Sequence, residues 1–303
     1  MLMPAVDTYL AVRRAAGFEL QAMEVYLRSF ARFAMEHGNT HVVAQTVVTW
    51  ATLTSSEAQR QNRLMAVLRF ARFMHAEDPR HELPPKDVFY GRRQRPTPYI
   101  LSNEEIHRLL THAGRLSPSR SLRPYTYSTL FGLLAATGMR PSEARALELR
   151  ALTPDGLVIR KTKFKKSRLL PLHPTTWTAL ERYLERRRRI AGHDPHLFVS
   201  RRGGPLSSSV LADTFHDVVK AAGIPREAGK PRPRLMDLRH TFAVRGLESC
   251  PDTRDQVGCH MLALTTYMGH AKVESTYWYL ENTPELMTDI ARCCAAFIYG
   301  EQP

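Results

Sequence analysis

Hydrophobic residues recur at helical spacing along most of the chain, and this pattern predicts a mainly helical protein. Between Val6 and His75 four such segments follow one another, which predicts a small N-terminal helical bundle. A segment dense in proline and positive charge then interrupts the pattern, and it suits neither helix nor strand. We therefore divide the chain into a bundle at residues 1–78, a basic linker at 79–99 and a second domain at 100–303.

The second domain combines helices with a few short apolar strands. Ser102 and Glu105 form a capping-box pattern that predicts a helix reaching about Ala113. Two apolar runs joined by a lysine-rich loop predict a β-hairpin, and residues 197–199 predict a further short strand. Four arginines at 186–189 read as a solvated charge run near a helix C-terminus. The predicted fold class is mainly α with a small β-hairpin (α+β).

The chain carries a strong positive charge, with a formal net charge of +14 and an isoelectric point near 10.0. An acidic polymer is the expected partner, and double-stranded DNA is the first candidate. The longest nearly apolar run, residues 130–136, is too short to span a bilayer, and no signal-peptide pattern precedes it. We expect a cytoplasmic, nucleoid-associated protein with no membrane partner.

Four cysteines without Cys-x-x-Cys spacing indicate neither a zinc site nor a disulfide framework. They read as small buried hydrophobes. The sequence therefore predicts no metal and no cofactor.

Candidate chemistry gathers near the C-terminus. Arg239 opens an amphipathic helical segment, and Gly269 before His270 suits a helix end. Tyr279 follows His270 by nine positions. An arginine, a histidine and a tyrosine in one pocket indicate a phenol attacking a phosphodiester, with cations neutralising the developing charge.

Two further features lie upstream. Arg140 precedes Pro141 at a predicted loop-to-helix junction. The hairpin loop carries several amines, one of which could protonate a leaving 5′ oxygen as general acid. These basic residues are Lys161, Lys163, Lys165, Lys166 and Arg168.

Taken together, these motifs resemble the catalytic half of the tyrosine recombinases, or phage-type integrases. That family's signature is Arg, Lys, His-x-x-Arg, His or Trp, and Tyr, and the resemblance runs from about Tyr99 to the end. It implies that Arg140 and Arg239 are the two arginines, Lys163 the hairpin lysine, His270 the Gly-His histidine and Tyr279 the nucleophile. Lys161 and Lys165 remain competitors for the lysine position, whereas Tyr277 would point about 200° away from Tyr279 on a helix.

One position departs from the family pattern. Met236 stands where His-x-x-Arg has its histidine. Since a thioether donates no hydrogen bond, the contact that the histidine gives the scissile phosphate is missing. Auxiliary candidates for this role are His240 and Lys272.

Arginines and lysines outside the motif are candidate DNA contacts, although those of the fourth helix and the linker could instead be solvated charges. The resemblance implies that the N-terminal bundle clamps DNA from the face opposite the catalytic domain. The candidates are Arg60, Arg63, Arg92, Arg93, Arg95, Lys161, Lys165, Lys166 and Arg168.

The implied function is a site-specific DNA recombinase of the integrase or transposase type, working through a 3′-phosphotyrosine intermediate. The resemblance also implies a homo-oligomer, a tetramer on synapsed DNA, or pairing with related recombinase protomers. The apolar face after Pro284 could pack on a neighbouring protomer or in the chain's own core. Alternatives are a type IB topoisomerase-like enzyme and a DNA-binding homologue weakened by Met236. A transcription factor with coincidental motifs is disfavoured by the order of the motifs.

Overall fold

The computed structural model describes residues 2–89, 97–160, 167–190, 194–201, 203–225, 232–249, 254–270 and 276. It divides the chain into two compact units, Met1–Arg95 and Pro96–Pro303. Within the described ranges, no helix is long and apolar enough to cross a membrane.

The first unit is the predicted four-helix bundle. Its helices are α1 (Leu2–Ala15), α2 (Gln21–Glu36), α3 (Ala44–Thr52) and α4 (Glu57–Glu77). Large side chains from three of these helices, Phe30, Trp50 and Phe70, are fully buried between them. Phe30 and Trp50 meet edge to face with ring centroids 5.5 Å apart. The apolar periodicity therefore placed these helices correctly.

The chain after α4 returns to the bundle. The backbone N–H of Val42 donates to His81 Nδ1 at 3.1 Å, and that of Glu82 donates to the Val42 carbonyl at 2.8 Å. Glu82 Oε2 accepts from the Ala44 N–H at 2.7 Å, where α3 begins. Phe89 packs against the bundle core. The first unit therefore extends beyond the boundary predicted at residue 78, to Arg95, because residues after 78 form hydrogen bonds with the bundle and pack on its core.

The second unit is mostly helical. Its helices are α5 (Asn103–Ala113), α6 (Arg123–Thr137), α7 (Pro141–Arg145), α8 (Pro174–Ile190), α9 (Ser208–Ala221), α10 (Asp237–Glu248) and α11 (Arg254–Met268). A short 3-10 turn, Leu149–Ala151, precedes the sheet. The predicted capping box begins α5: the Glu105 N–H donates to Ser102 Oγ at 3.1 Å, and the Ser102 N–H donates to Glu105 Oε2 at 2.7 Å.

The sheet has three antiparallel strands in the order β1 (Leu152–Thr153), β2 (Gly156–Ile159) and β3 (Arg168–Leu170). In the predicted hairpin, Ile159 pairs with Arg168 and Leu157 with Leu170. Strand β1 was not predicted, because two residues carry too little alternation to detect.

The strand predicted at residues 197–199 is wrong. This segment makes only isolated bridges, such as Val199 with Pro205. The Leu197 carbonyl accepts from the Tyr183 hydroxyl at 3.0 Å and from Arg187 Nε at 3.1 Å. Side chains of α8 therefore take the hydrogen bond that a neighbouring strand would supply.

The charge run at 186–189 also differs from the prediction, because Arg187 is only 2 % exposed. Besides Leu197, its guanidinium donates to the carbonyls of Asp194 at 2.5 Å and His196 at 2.6 Å. Arg186 lies over the Tyr125 ring, 4.0 Å from its centroid. Arg187 is therefore a buried structural residue, whereas Arg186, Arg188 and Arg189 are exposed, as the prediction of a solvated run requires.

Candidate active site

Three segments of the second unit meet at the candidate site: the start of α7, the first turn of α10 and the turn after α11. They bring together Arg140, Arg239 and His270, which the sequence predicted would share a pocket. Pro141 occupies the first turn of α7, and Arg140 is the extended N-cap residue with φ −70° and ψ 141°. The predicted loop-to-helix junction is therefore present.

Arg239 joins two helix ends, and it is only 3 % exposed. Its Nη1 donates to the Gly138 carbonyl at 2.6 Å, after α6. Its Nη2 donates to the Met268 carbonyl at 2.8 Å and to His270 Nε2 at 2.8 Å. Carbonyl oxygens that end α6 and α11 thus fix the plane of this guanidinium.

The residue whose carbonyl accepts from Arg239, Gly138, has to be a glycine. Its φ of +58° lies in the left-handed region that favours glycine. A Cβ at this position would lie 2.4 Å from Cδ1 of Phe242, which is well inside contact distance. Close packing of α10 on this turn therefore brings the carbonyl within reach of Arg239.

Glu143 is a carboxylate shared by two arginines, and its side chain is 7 % exposed. Arg140 Nη1 donates to Oε1 at 2.8 Å, and Arg168 Nη1 and Nη2 donate to Oε1 and Oε2 at 3.1 and 2.7 Å. Burial raises the pKa of Glu143, but hydrogen bonds from Arg168 and from the Arg140 backbone more than offset it and lower the pKa to about 2. The carboxylate is therefore ionised at neutral pH.

Arg168 and Arg140 also define the turn before His270. Arg140 Nη2 donates to the Gly269 carbonyl at 3.0 Å. Gly269 has φ +65°, and a Cβ there would lie 2.7 Å from Arg168 Nη1. Position 269 must therefore be glycine, because the backbone is left-handed there and a side chain would collide with the Arg168 guanidinium. The Arg168 side chain is 10 % exposed and paired with Glu143, so the geometry favours an anchoring role over the predicted DNA contact.

His270 is half-buried behind these cations. Burial lowers its pKa to about 4, with further lowering from Arg239, Arg140, Arg168 and His240. The imidazole is therefore neutral at pH 7 before an anion arrives. The neutral ring has a lone pair that can accept a proton once an anion offsets the charge of the guanidinium groups.

The first turn of α10 is organised by Asp237, which is fully buried. It accepts from the Arg234 N–H at 2.7 Å and from Arg234 Nη2 at 3.0 Å. His240 Nε2 lies 4.0 Å from Asp237 Oδ1. Met236 is the N-cap residue and is 38 % exposed, with no side-chain capping bond. Arg234 and Asp237 were missed in the sequence, although their i, i+3 spacing at a helix start was a readable signal.

Several predicted residues lie outside the described part of the chain. Among them are Tyr279, Tyr277, Lys161, Lys163, Lys165, Lys166, Lys272, Arg92, Arg93 and Arg95. Their roles stay predictions.

In the first unit, Arg60 Nε donates to the Thr54 carbonyl at 2.7 Å, and Arg63 Nη1 donates to the Trp50 carbonyl at 3.2 Å. Both candidate DNA contacts thus also brace the turn between α3 and α4. Arg69 and Arg72, on the same helix, are more exposed.

One group in the described chain has the composition of a metal site: His41, Asp78 and His81, whose potential ligand atoms lie within 4.8 Å of one another. The Val42 N–H can only donate, so His81 Nδ1 accepts and the neutral ring carries its proton on Nε2. A metal could then bind only Nε2, and the ring would have to lose its one remaining N–H proton. Hydrogen bonding therefore accounts for the position of the His81 ring without a metal ion.

Comparison with known proteins decides the family. Residues 99–285 match the model of the phage integrase family. The chain belongs to the phage integrase family. A putative integrase/recombinase, y4rB of Sinorhizobium fredii, is 38 % identical over 95 % of both chains. Tyrosine recombinase XerD of Caulobacter vibrioides is 32 % identical over 78 % of this chain and 75 % of its own.

The fold agrees with that of other phage integrase family proteins. A lambda integrase tetramer bound to a Holliday junction superposes with a TM-score of 0.66, over 92 % of this chain and 76 % of the integrase chain, at 16 % identity. At this identity the likeness shows the shared fold. The matched family region contains all three residues that converge at the candidate site.

Proposed function

We propose that this phage integrase family protein is a site-specific recombinase that cleaves and rejoins DNA through a 3′-phosphotyrosine intermediate. The observation that carries the proposal is the convergence of Arg140, Arg239 and His270 from three separate segments. Two planar guanidinium groups and an imidazole within one hydrogen-bonded cluster suit a phosphodiester.

The reaction balances without metal, nucleotide or water. The Tyr279 phenol oxygen attacks phosphorus and forms a new P–O bond, while the bond to the 5′ oxygen breaks. Lys163 gives its proton to that oxygen, so a free 5′-hydroxyl leaves. The phenol proton passes to a base, for which the neutral His270 ring is suited. The product is again a phosphodiester, so a second strand's hydroxyl can reverse the step.

The arginines supply electrostatic stabilisation that is in place before the substrate arrives. Arg239 is oriented by the Gly138 and Met268 carbonyls, and Arg140 by Glu143. Fixed donors need no reorganisation when charge develops on the transferring phosphoryl group. Losing one such donor typically costs about 10²- to 10³-fold in rate.

Recombination requires two DNA sites, and hence more than one protomer. The lambda integrase structure is described as a tetramer on a Holliday junction. We extend that arrangement to this chain as a homotetramer, or as an assembly with related recombinase protomers, on double-stranded DNA in the cytoplasm and nucleoid. Because both chemical steps are reversible, sites and partners set the direction of exchange.

A recombination assay separates this function from its rivals. The protein is purified from its native host, and the DNA covalently attached to it is sequenced to find the site. Two such sites are then placed on one plasmid. The proposal expects exchange between sites, which is absent in Tyr279→Phe. Supercoil relaxation at single sites without exchange would support a topoisomerase, and tight binding without strand cleavage would support a non-catalytic homologue.

A further inference from the structure

A pair of buried threonines lies directly behind His270. Thr276 Oγ1 is 2.8 Å from His270 Nδ1 and 2.9 Å from Thr265 Oγ1. Thr276 has no exposed surface and Thr265 is 5 % exposed, so neither hydroxyl can serve as a surface contact for DNA. The backbone closes the same turn, because the His270 N–H donates to the Thr265 carbonyl at 3.1 Å.

The roles of the two His270 ring nitrogens follow from one fixed donor, Arg239. Arg239 can only donate, so His270 Nε2 must accept at 2.8 Å. A neutral imidazole with an acceptor at Nε2 carries its proton on Nδ1. That proton is donated to Thr276 Oγ1, and one further hydrogen bond joins the hydroxyls of Thr276 and Thr265.

We propose that Thr276, supported by Thr265, is a positioning residue: by accepting the Nδ1–H it acts together with Arg239 to hold His270 in this tautomer, with Nε2 directed at Arg239 and the reacting phosphate. The catalytic consequence rests on the proposed function. The tautomer itself does not, because it is a property of the protein without DNA.

The arrangement lets His270 exchange a proton at one nitrogen only. Protonation at Nε2 requires that Arg239 Nη2 release this nitrogen, but the Nδ1–H bond to Thr276 is kept, so the ring does not have to flip. Among the described residues, the charged and titratable groups facing the ring are Arg239 and His240 from α10, Arg140 before α7 and Arg168 from β3. They favour the neutral ring, whereas an incoming phosphate anion favours the protonated one.

Thr276 also precedes the proposed nucleophile, Tyr279, by three residues in the sequence. One hydrogen bond therefore connects the His270 ring to the segment that carries the tyrosine. Removing the hydroxyl should disturb both partners of the proton transfer while leaving the basic surface intact.

The first test reads the tautomer directly. Nitrogen-15 NMR of the DNA-free protein distinguishes Nδ1–H from Nε2–H rings, and loss of a signal in His270→Gln assigns the ring. We expect Nδ1–H in the wild type and in Thr276→Ser, which keeps the hydroxyl. We expect a mixed or Nε2–H ring in Thr276→Val, with Thr266→Val, an exposed neighbour of Thr265, as the matched control. An Nε2–H wild-type ring, or an unchanged ring in Thr276→Val, would overturn the proposal.

The second test measures single-turnover cleavage of a suicide DNA substrate by the same variants. A buried donor left without its acceptor costs about 1–3 kcal/mol, so Thr276→Val should cleave roughly 5- to 150-fold more slowly. Thr276→Ser should recover most of the rate, and DNA affinity should not change. A full rate in Thr276→Val would overturn the positioning role.

The two readouts separate the possible failures. If the wild type forms no covalent adduct, the proposed function fails, and the NMR result still judges the tautomer. If Thr276→Val does not fold, Thr265→Val replaces it, because it removes the hydroxyl that pairs with Thr276. It should weaken the Nδ1–H preference, and an unchanged ring there would count against the proposal.

Discussion

Replacing Arg168 by glutamine tests whether this residue anchors the active site or contacts DNA. Arg168 forms two hydrogen bonds to Glu143 at 3.1 and 2.7 Å, and the two side chains are 10 % and 7 % exposed. Breaking a buried ion pair by removing one partner costs about 3–5 kcal/mol. Because Glu143 keeps Arg140 as a second partner, we expect a smaller loss, about 2–3 kcal/mol.

That loss converts into a measurable shift. For a unit of this size, each kcal/mol moves the melting temperature by about 2–4 °C, so Arg168→Gln should melt on the order of 4–12 °C lower. Arg150→Gln is the matched control, since Arg150 is 78 % exposed and pairs with Glu148 at the surface of the same unit. Exposed pairs of this kind contribute about 0–1 kcal/mol.

DNA binding supplies the deciding measurement. If Arg168 is an anchor, the slope of log affinity against log salt should be unchanged in Arg168→Gln, while cleavage should fall because Glu143, which orients Arg140, loses one of its two arginine partners. A melting temperature equal to that of the wild type, together with a slope reduced by about one ion, would refute this reasoning. That result would restore the DNA contact predicted from the sequence.

Four further predictions follow from the same geometry. Arg239→Lys keeps the charge but loses the planar fork, so cleavage should fall by about 10²-fold or more; near-normal cleavage would remove Arg239 from the site. Met236→His should raise the single-turnover rate with little change in DNA affinity, because a partly exposed position has room for the ring; an equal wild-type rate would show that another group fills the role. Arg69→Ala combined with Arg72→Ala should reduce the salt slope by about two ions if α4 tracks the phosphate backbone, and an unchanged slope would place DNA elsewhere. Glu143 has a pKa of about 2 in the folded state against an ordinary value of 4.5; its contribution to stability is therefore present above pH 4.5 and lost as the pH falls towards 2, and acid titration of Glu143→Gln should lack this loss.

Local signals in the sequence predicted a large part of the site. Pro141 fixed the junction that presents Arg140, and Gly269 marked the end of α11 before His270. Each signal acts at a single helix end, where backbone stereochemistry decides the conformation. The helices of the bundle were predicted for a similar reason, because apolar spacing records which face of each helix is buried.

Contacts between distant segments could not be predicted in this way. Glu143 and Arg168 are 25 positions apart, and the spacing of neither residue indicates the other. The burial of Arg187 likewise depends on carbonyl groups presented by the following loop, whereas the sequence shows only a charge run. The tautomer of His270 depends on Arg239, 31 positions earlier, which contacts it only in the fold.

The position of the missing motif histidine, Met236, also shows that local sequence does not reveal contacts made in the fold. The sequence identifies Met236 as a departure from the family pattern, but it does not show that Asp237 and Arg234 already hold the first turn of α10. This pair accounts for the turn being formed without a capping side chain at Met236.

The central claim is that a tyrosine forms the covalent bond to DNA, and mass spectrometry of a trapped adduct tests it most directly. The purified chain is incubated with a suicide substrate that carries its native site, the adduct is digested, and the modified peptide is sequenced. We predict a phosphodiester link between Tyr279 and the 3′ phosphate, lost in Tyr279→Phe and retained in Tyr277→Phe. An adduct on Tyr277, or no adduct from the wild type on its confirmed native site, would contradict the account.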